Sequence, residues 1–311
     1  MDEHERCARA ALAAIPALEA HAGGAVVTRL GGLTNRVFRV DTAVGRFCLR
    51  LPGQGTEAYI DRTVEAQNAR AAAAAGVAPE VVWFGADGVM VTRFLDDVVT
   101  LSPALFRDRP GAVERAGRAL RRLHDGASGF AFRFELFAMI ERYRTLLAER
   151  GAALPEGYER TLAEAEAVRA ALERHPVPLA CCHCDPLCEN FLDDGTRAWI
   201  VDWEYSGNND PMWDLGDLSV EAGFDSSMDE RLLCAYFEGP ASDFDRGRMI
   251  AYKAMCDLLW TLWGLIQHMD GNPAEDFWAY ATARLDRCRA LLADPGFARH
   301  LAAVAAGPAR R

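Results

Sequence analysis

Lysine is all but missing from this chain. Lys253 is the one lysine among 34 basic residues in a sequence of 311. Work that lysine does elsewhere therefore falls to arginine, and a phosphate loop built on a G-x-x-x-x-G-K-[ST] lysine is excluded. Long apolar runs are also lacking. The most apolar stretch, 254–266, is interrupted by Asp257 and falls short of the roughly 20 residues that a membrane span needs. The opening MDEHERCARAALAAIPALEA is acidic and has no signal-peptide core. Nine cysteines are too sparse for a small disulfide scaffold. The expectation is a cytoplasmic protein with reduced thiols and no membrane role. A basic stripe is missing as well. With 45 acidic residues and a formal net charge of -11, a nucleic-acid partner is not expected. An acidic chain is better suited to a cationic or metal-escorted ligand.

What is present has a clear order. Residues 3–21 read as an amphipathic helix. Strand-like runs follow at 25–30, 37–41 and 46–51, then an alanine-rich helix at 62–75 closed by Gly76. Two further strands, 80–84 and 89–94, flank the turn Ala86-Asp87-Gly88. Beyond Leu95 the pattern turns helical. Val113, Ala116, Leu120 and Leu123 form a stripe at spacings of three, four and three. Helices are also expected at 135–150, at 157–174 and through most of 214–303. Pro176 and Pro178 interrupt them ahead of short strands at 179–182 and 197–201. The composition is α+β, with a sheet-rich lobe at 1–95, a hinge near 93–96 and a helical lobe at 96–311.

The stretch CCHCDPLCEN, residues 181–190, packs four cysteines and a histidine together. Zinc is the obvious thought, but Cys181 and Cys182 are adjacent and point to opposite faces of a strand. Pro186 separates Cys184 from Cys188, and no second pair waits elsewhere. The cysteines read better as small buried hydrophobes. Without them, His183-x-Asp185-x-x-x-x-Asn190 remains, followed by a strand, a turn at Asp193-Asp194-Gly195, another strand and Asp202-Trp203-Glu204. The hairpin returns Asp202 beside the loop. Asn190 and Asp202 then form an oxygen pair of the kind magnesium accepts when phosphates and water complete its shell. Asp185 is left free to meet a substrate hydroxyl, which is the layout of a kinase-type phosphoryl-transfer site.

HCDPLCENF and IVDWEYSG, with NNDPMWDLGDLSVE downstream, resemble the signature of the choline and ethanolamine kinases and, more loosely, of the aminoglycoside phosphotransferases. The resemblance spans roughly residues 25–290 and is thinnest between 95 and 178. It implies a protein-kinase-like bilobal fold, with a small antiparallel-sheet N-lobe and a larger helical C-lobe. It implies ATP and Mg2+ as cofactors. Gly31-Gly32-Leu33-Thr34-Asn35 is similar to the family's turn near the nucleotide, which makes Gly32, Thr34 and Asn35 nucleotide-binding candidates. Arg50 stands on the strand that carries the family's phosphate-gripping base, and its guanidinium can fork onto phosphate oxygens. Glu65 matches the helix glutamate that pairs with that base, although a helix-start glutamate favoured by the dipole would look the same. Asp214 matches the aspartate that braces the catalytic loop, or is a plain helix N-cap. His183 is expected to support the loop rather than act as a base.

The acceptor is read from aromatics. Trp260 and Trp263 lie three apart, as do Phe277 and Tyr280. A quaternary ammonium has no N–H donors and binds to aromatic faces beside a carboxylate. Trp260, Trp263 and Tyr280 are suitable walls. Tyr205 would add a wall and Glu204 the carboxylate. Aromatic pairs at this spacing also serve as ordinary core. Both segments, W-x-x-W-x-x-x-Q and Y-A-x-x-R, resemble the choline-kinase C-terminus. The stretch 221–224 departs from the eukaryotic members in having fewer aromatics, as in the bacterial branch. The expected activity is phosphorylation of choline or a similar cationic alcohol. The alternatives are another small acceptor (ethanolamine, thiamine, an aminoglycoside, a sugar alcohol or another amino alcohol), a nucleotide-binding pseudokinase, and the zinc module. The sequence leaves the oligomeric state open.

Overall fold

The computed structural model describes residues 3–31, 35–53 and 60–309. Gly32 and Thr34 lie outside the described residues. The first helix, α1 (Glu3–Ala13), is shorter than expected. Pro16 has no amide hydrogen to continue the ladder, and the chain resumes as a 3-10 turn at Glu19–Gly24.

Five antiparallel strands follow, β1 (Val26–Gly31), β2 (Arg36–Thr42), β3 (Gly45–Leu51), β4 (Val81–Phe84) and β5 (Met90–Arg93), in the order β1-β2-β3-β5-β4. Phe38 pairs with Leu49, Val40 with Phe47, and Leu49 with Val91. These side chains share one face of the sheet, and Ala8, Leu12, Ile15 and Leu18 cover it. Because side chains alternate along a strand, burying Phe47, Leu49 and Leu51 on that face turns Arg50 to the opposite one. Arg50 thereby faces the larger lobe.

The helix α2 (Arg62–Ala74) starts where the Asp61 carboxylate accepts the amides of Thr63 and Val64 at 2.9 and 3.2 Å. It ends before Gly76, whose φ of +72° suits glycine. Ala69 and Ala72 do not join the sheet's own core. With Ile60, Val77, Ala78 and Met90 they pack into the core of the larger lobe. The packing therefore cuts the chain differently from the sequence boundary at 95, since the helix bearing Glu65 is seated on the helical lobe.

Two short elements ahead of α4 have no counterpart in the sequence reading. The strand β6 (Val99–Thr100) pairs with a later hairpin, and α3 (Pro103–Asp108) is capped by Ser102. Then come α4 (Ala112–Gly126), α5 (Leu136–Glu149) and α6 (Tyr158–Arg174). All four residues of the α4 stripe are buried. The short strands β7 (Ala180–Cys182), β8 (Phe191–Asp193), β9 (Ala198–Ile200) and β10 (Gly207–Asn209) carry the loops of the site. The chain ends in α7 (Pro211–Ala222), α8 (Ser226–Phe237), α9 (Asp243–Met269), α10 (Phe277–Leu292) and α11 (Phe297–Ala306). The stretch read as too short for a membrane is the second half of α9, whose 27 residues are long and apolar enough by composition. In the fold, 89% of its most apolar window is buried, with α7, α10 and α11 packed around it. This helix is the axis of the larger core.

Candidate active site

The loop after β7 is held by its backbone. Asp214, in the first turn of α7, accepts the amides of His183 and Cys184 at 2.7 and 2.8 Å. Trp213 Nε1 donates to the Cys184 carbonyl at 3.1 Å. Cys184 sits at φ +67°, a left-handed conformation that a non-glycine residue adopts only when its surroundings enforce it. His183 is fully buried, with Nε2 at 2.9 Å from the Val201 carbonyl and its ring edge-on to Trp203. Burial lowers its pKa and favours the neutral imidazole. Next along the loop comes Asp185, and among the described residues no protein donor reaches its carboxylate. Asn190 closes the loop by donating Nδ2 to the Asp185 carbonyl at 3.0 Å, and among the described residues nothing donates to its Oδ1. The β8–β9 hairpin returns the chain, Val201 N donates to the Asn190 carbonyl at 3.0 Å, and Asp202 follows at φ +68°.

The cysteines take no part in this geometry. All four are buried and burial raises each thiol pKa. Among the described residues no two of them share a cluster that could hold a metal.

On one side of Asp202 lies an ionic knot. Arg50, 4% exposed, pairs with Glu65 and reaches Asp202 at 3.0 Å. Arg62 bridges Glu65 at 2.7 Å and Glu204 at 3.2 Å. Asn35 donates to Asp202 and Glu204 at 3.4 and 3.3 Å, and Gly53 N donates back to its Oδ1. Burial alone would penalise the Arg50 charge, but Glu65, Asp202 and Glu204 more than offset that and raise its pKa. Three carboxylates face two guanidiniums, so negative charge is in excess. Desolvation first, and then the Asp202 charge, push Glu204 up to about 7 despite Arg50 and Arg62. Oxygens of Glu65, Asp202 and Glu204 lie within 4.8 Å of one another. This set of carboxylate oxygens fits a hard cation such as magnesium.

On the other side lie rings. Tyr205 meets Trp260 at 5.3 Å between centroids, Trp260 meets Trp263 at 6.2 Å, and Trp263 meets Tyr280 at 5.7 Å, all edge-to-face. Trp263 Nε1 donates to the Tyr205 hydroxyl at 2.9 Å. Tyr280 comes this close because α9 has Gly264 there. A Cβ at Gly264 would sit 2.6 Å from the tyrosine ring. The Arg284 guanidinium carbon lies 4.4 Å from the Tyr280 ring centre. Behind the rings, α7 presents Asp217 and Glu221 one turn apart. Arg284 holds Glu221 and Asp257, while Cys256 Sγ donates to Asp217 Oδ1 at 2.9 Å. Desolvation, then the charges of Asp217, Asp202, Glu221 and Glu204, raise the Asp185 pKa well above the usual carboxylate range.

Comparison with known proteins adds an identity. The phosphotransferase enzyme family matches residues 26–252. Protein LicA of Haemophilus influenzae is 30% identical over 272 residues, covering 85% of this chain and 78% of that protein. A crystal structure of a choline/ethanolamine kinase family protein from Mesorhizobium loti is 57% identical. It covers 98% of this chain and 100% of that one, with a TM-score of 0.90. This chain belongs to the choline/ethanolamine kinase family. A further structure, choline kinase LicA from Streptococcus pneumoniae, has a TM-score of 0.79 at 26% identity, covering 94% of this chain and 99% of that one. Members of the family transfer a phosphoryl group to an alcohol, and the α+β two-lobed architecture is the kinase-like fold of that family.

In this kinase Arg50 ties Glu65 and Asp202 together, Asn35 reaches Asp202, Asn190 holds the Asp185 carbonyl, and Tyr205, Trp260, Trp263 and Tyr280 form one run of rings. Glu204 is the exception. The sequence reading put it with the acceptor, but its contacts are to Arg62 and Asn35, among the groups around Arg50. The reason is that the turn after Asp202 faces α2, and Arg62 takes the carboxylate. Asp217 and Glu221 were missed. The available signal is a pair of carboxylates four apart on α7, one turn beyond Asp214.

Proposed function

We propose that the chain is an ATP- and magnesium-dependent kinase that phosphorylates the hydroxyl of choline to give phosphocholine. The observation that carries this reading is the run of rings from Tyr205 to Tyr280 beside carboxylates that hold more charge than their arginines neutralise. Aromatic faces and excess negative charge suit a cationic alcohol. In this reading Arg50, oriented by Glu65, grips the nucleotide phosphates. Asp185 orients the acceptor hydroxyl. As the oxygen bonds to the γ-phosphorus, the bond to the ADP oxygen breaks and the hydroxyl proton passes to the Asp185 carboxylate. Because phosphoryl transfer runs through a loose transition state, placement of that hydroxyl matters more than base strength. Asn190 and Asp202 are the proposed metal holders, and magnesium bound there would neutralise charge on the phosphate oxygens.

One observation favours ethanolamine as a second reading. Asp217 Oδ2 is buried and has no hydrogen-bond partner among the described residues, so it can accept an N–H that choline does not have. The deciding experiment measures ADP release from Mg-ATP with choline, ethanolamine, thiamine, kanamycin and homoserine added separately. Stimulation by choline above the rest supports the ring argument. Preference for ethanolamine transfers the weight to Asp217. Silence with all five removes these acceptors and leaves an untested alcohol or the pseudokinase.

A further inference from the structure

His124, on α4, lies behind the catalytic loop and touches none of the groups assigned to substrate. It is buried, and both ring nitrogens are engaged. Nε2 lies 3.0 Å from Asp214 Oδ2, and Nδ1 lies 2.9 Å from the Tyr236 hydroxyl. Asp214 already accepts two loop amides. It is therefore an acceptor toward the ring as well, so Nε2 carries the proton facing it and Nδ1 accepts the phenol hydrogen. Tyr236 is buried on α8, and desolvation raises its pKa and keeps it a donor. The α4–α8 contact that holds the two rings is close. A Cβ at Gly117 would lie 2.8 Å from the Leu232 carbonyl, so the helices cannot part without losing that fit.

We propose that His124 is a positioning residue for phosphoryl transfer. Its Nε2–H locks the Asp214 carboxylate in the one orientation that accepts both the His183 and Cys184 amides. That orientation holds Cys184 at its left-handed φ and so aims Asp185. The strain at Cys184 is clamped from both sides, at its amide by Asp214 and at its carbonyl by Trp213. Removing the third donor to Asp214 frees the carboxylate to rotate and relaxes the clamp. The inference rests on the reading of Asp185 as the residue that meets the acceptor hydroxyl.

The test compares wild type, His124→Phe, which fills the space without a donor, and His124→Gln, which keeps an N–H directed at Asp214. Amide hydrogen exchange is followed over residues 181–188, alongside kcat and KM for ATP and for choline or ethanolamine. In His124→Phe, exchange of the His183 and Cys184 amides rises at least about tenfold. The kcat falls roughly 10- to 100-fold with both KM values within about twofold. His124→Gln recovers most of both losses. A purely structural role would instead give lower Tm and raised exchange throughout α4 and α8, with kcat per folded molecule unchanged. That result overturns the proposal, as does unchanged protection of the two loop amides. If His124→Phe does not fold, Tyr236→Phe replaces it, with a smaller rise expected at the same two amides; no rise is again fatal. If wild type releases no ADP with any acceptor, the functional reading falls by itself, and the exchange arm still decides whether His124 braces the loop.

Discussion

The cleft has two halves that solve the same problem, gathering charge in a buried place, with different materials. Around Arg50 the material is ionic. Two guanidiniums and three carboxylates from α2, β3 and the turn after β9 interlock over distances of about one hydrogen bond. Around Trp263 the material is aromatic, with rings meeting edge to face and the carboxylates of Asp217 and Glu221 set behind them. An ionic knot discriminates by geometry and suits a ligand of fixed shape such as a nucleotide's phosphates. A ring wall is tolerant in direction but demands a cation. Asp185 feels carboxylates of both halves, Asp202 and Glu204 from one and Asp217 and Glu221 from the other. Among the described residues neither Arg50 nor a ring donates to its carboxylate.

If Asp185 belongs to both halves, its loss should be the most damaging. Asp185→Ala is expected to lower kcat by about 10²–10⁴-fold while Tm changes little, because its carboxylate makes no hydrogen bond among the described residues. Turnover near wild type would remove Asp185 from the chemistry. Arg50→Lys probes the ionic half. A lysine has no planar fork and cannot hold Glu65 and Asp202 at once, so kcat/KM for ATP should fall about 10- to 100-fold with a smaller change for the acceptor. An equal loss for both substrates would mean that the two halves are not separable.

Trp263→Ala probes the aromatic half. A cation over an aromatic face is worth about 0.5–2 kcal/mol, so the acceptor KM should rise about 2- to 30-fold while the ATP KM stays put. Trp260, Tyr205 and Phe277 are each less than a tenth exposed, and truncating them would damage the core as well as the site. If both KM values rise together, the rings are core and the cation argument fails.

How much of this was legible in the sequence differs between the halves, for a physical reason. The loop residues were legible because chain connectivity fixes them. A strand, a five-residue turn and a tight hairpin leave Asp202 nowhere to go but beside Asn190. The rings were legible because positions three apart on a helix share a face. Contacts between distant segments were not. Glu204 could be placed only once α2 was known to sit on the helical lobe, and nothing local ties residue 62 to residue 204. His124 reads as one polar residue closing an apolar stripe, and its partner Tyr236 is 112 positions away. The 3-10 turn after Pro16 was foreseeable, since the proline stood in plain view inside the stretch read as helix.

The smallest expected effect concerns the balance of charge in the ionic half. Glu204 is a carboxyl whose folded-state pKa is about 7 against an ordinary value of 4.5. A raised carboxyl pKa means the folded chain binds a proton that the unfolded chain has already released between pH 4.5 and 7. Stability contributed by this group is therefore present at acid pH and declines as pH rises through that window, by an amount of order 3 kcal/mol at most. Glu204→Gln removes the titration while keeping a side-chain oxygen that can accept from Arg62. The variant should match wild type near pH 5 and melt a few degrees higher near pH 8, measured by thermal unfolding of both proteins across the range. A Tm difference independent of pH would mean that Arg62 and Asn35 hold Glu204 ionised through this range, and the ionic half would then keep its full excess of negative charge below pH 7 as well as above it.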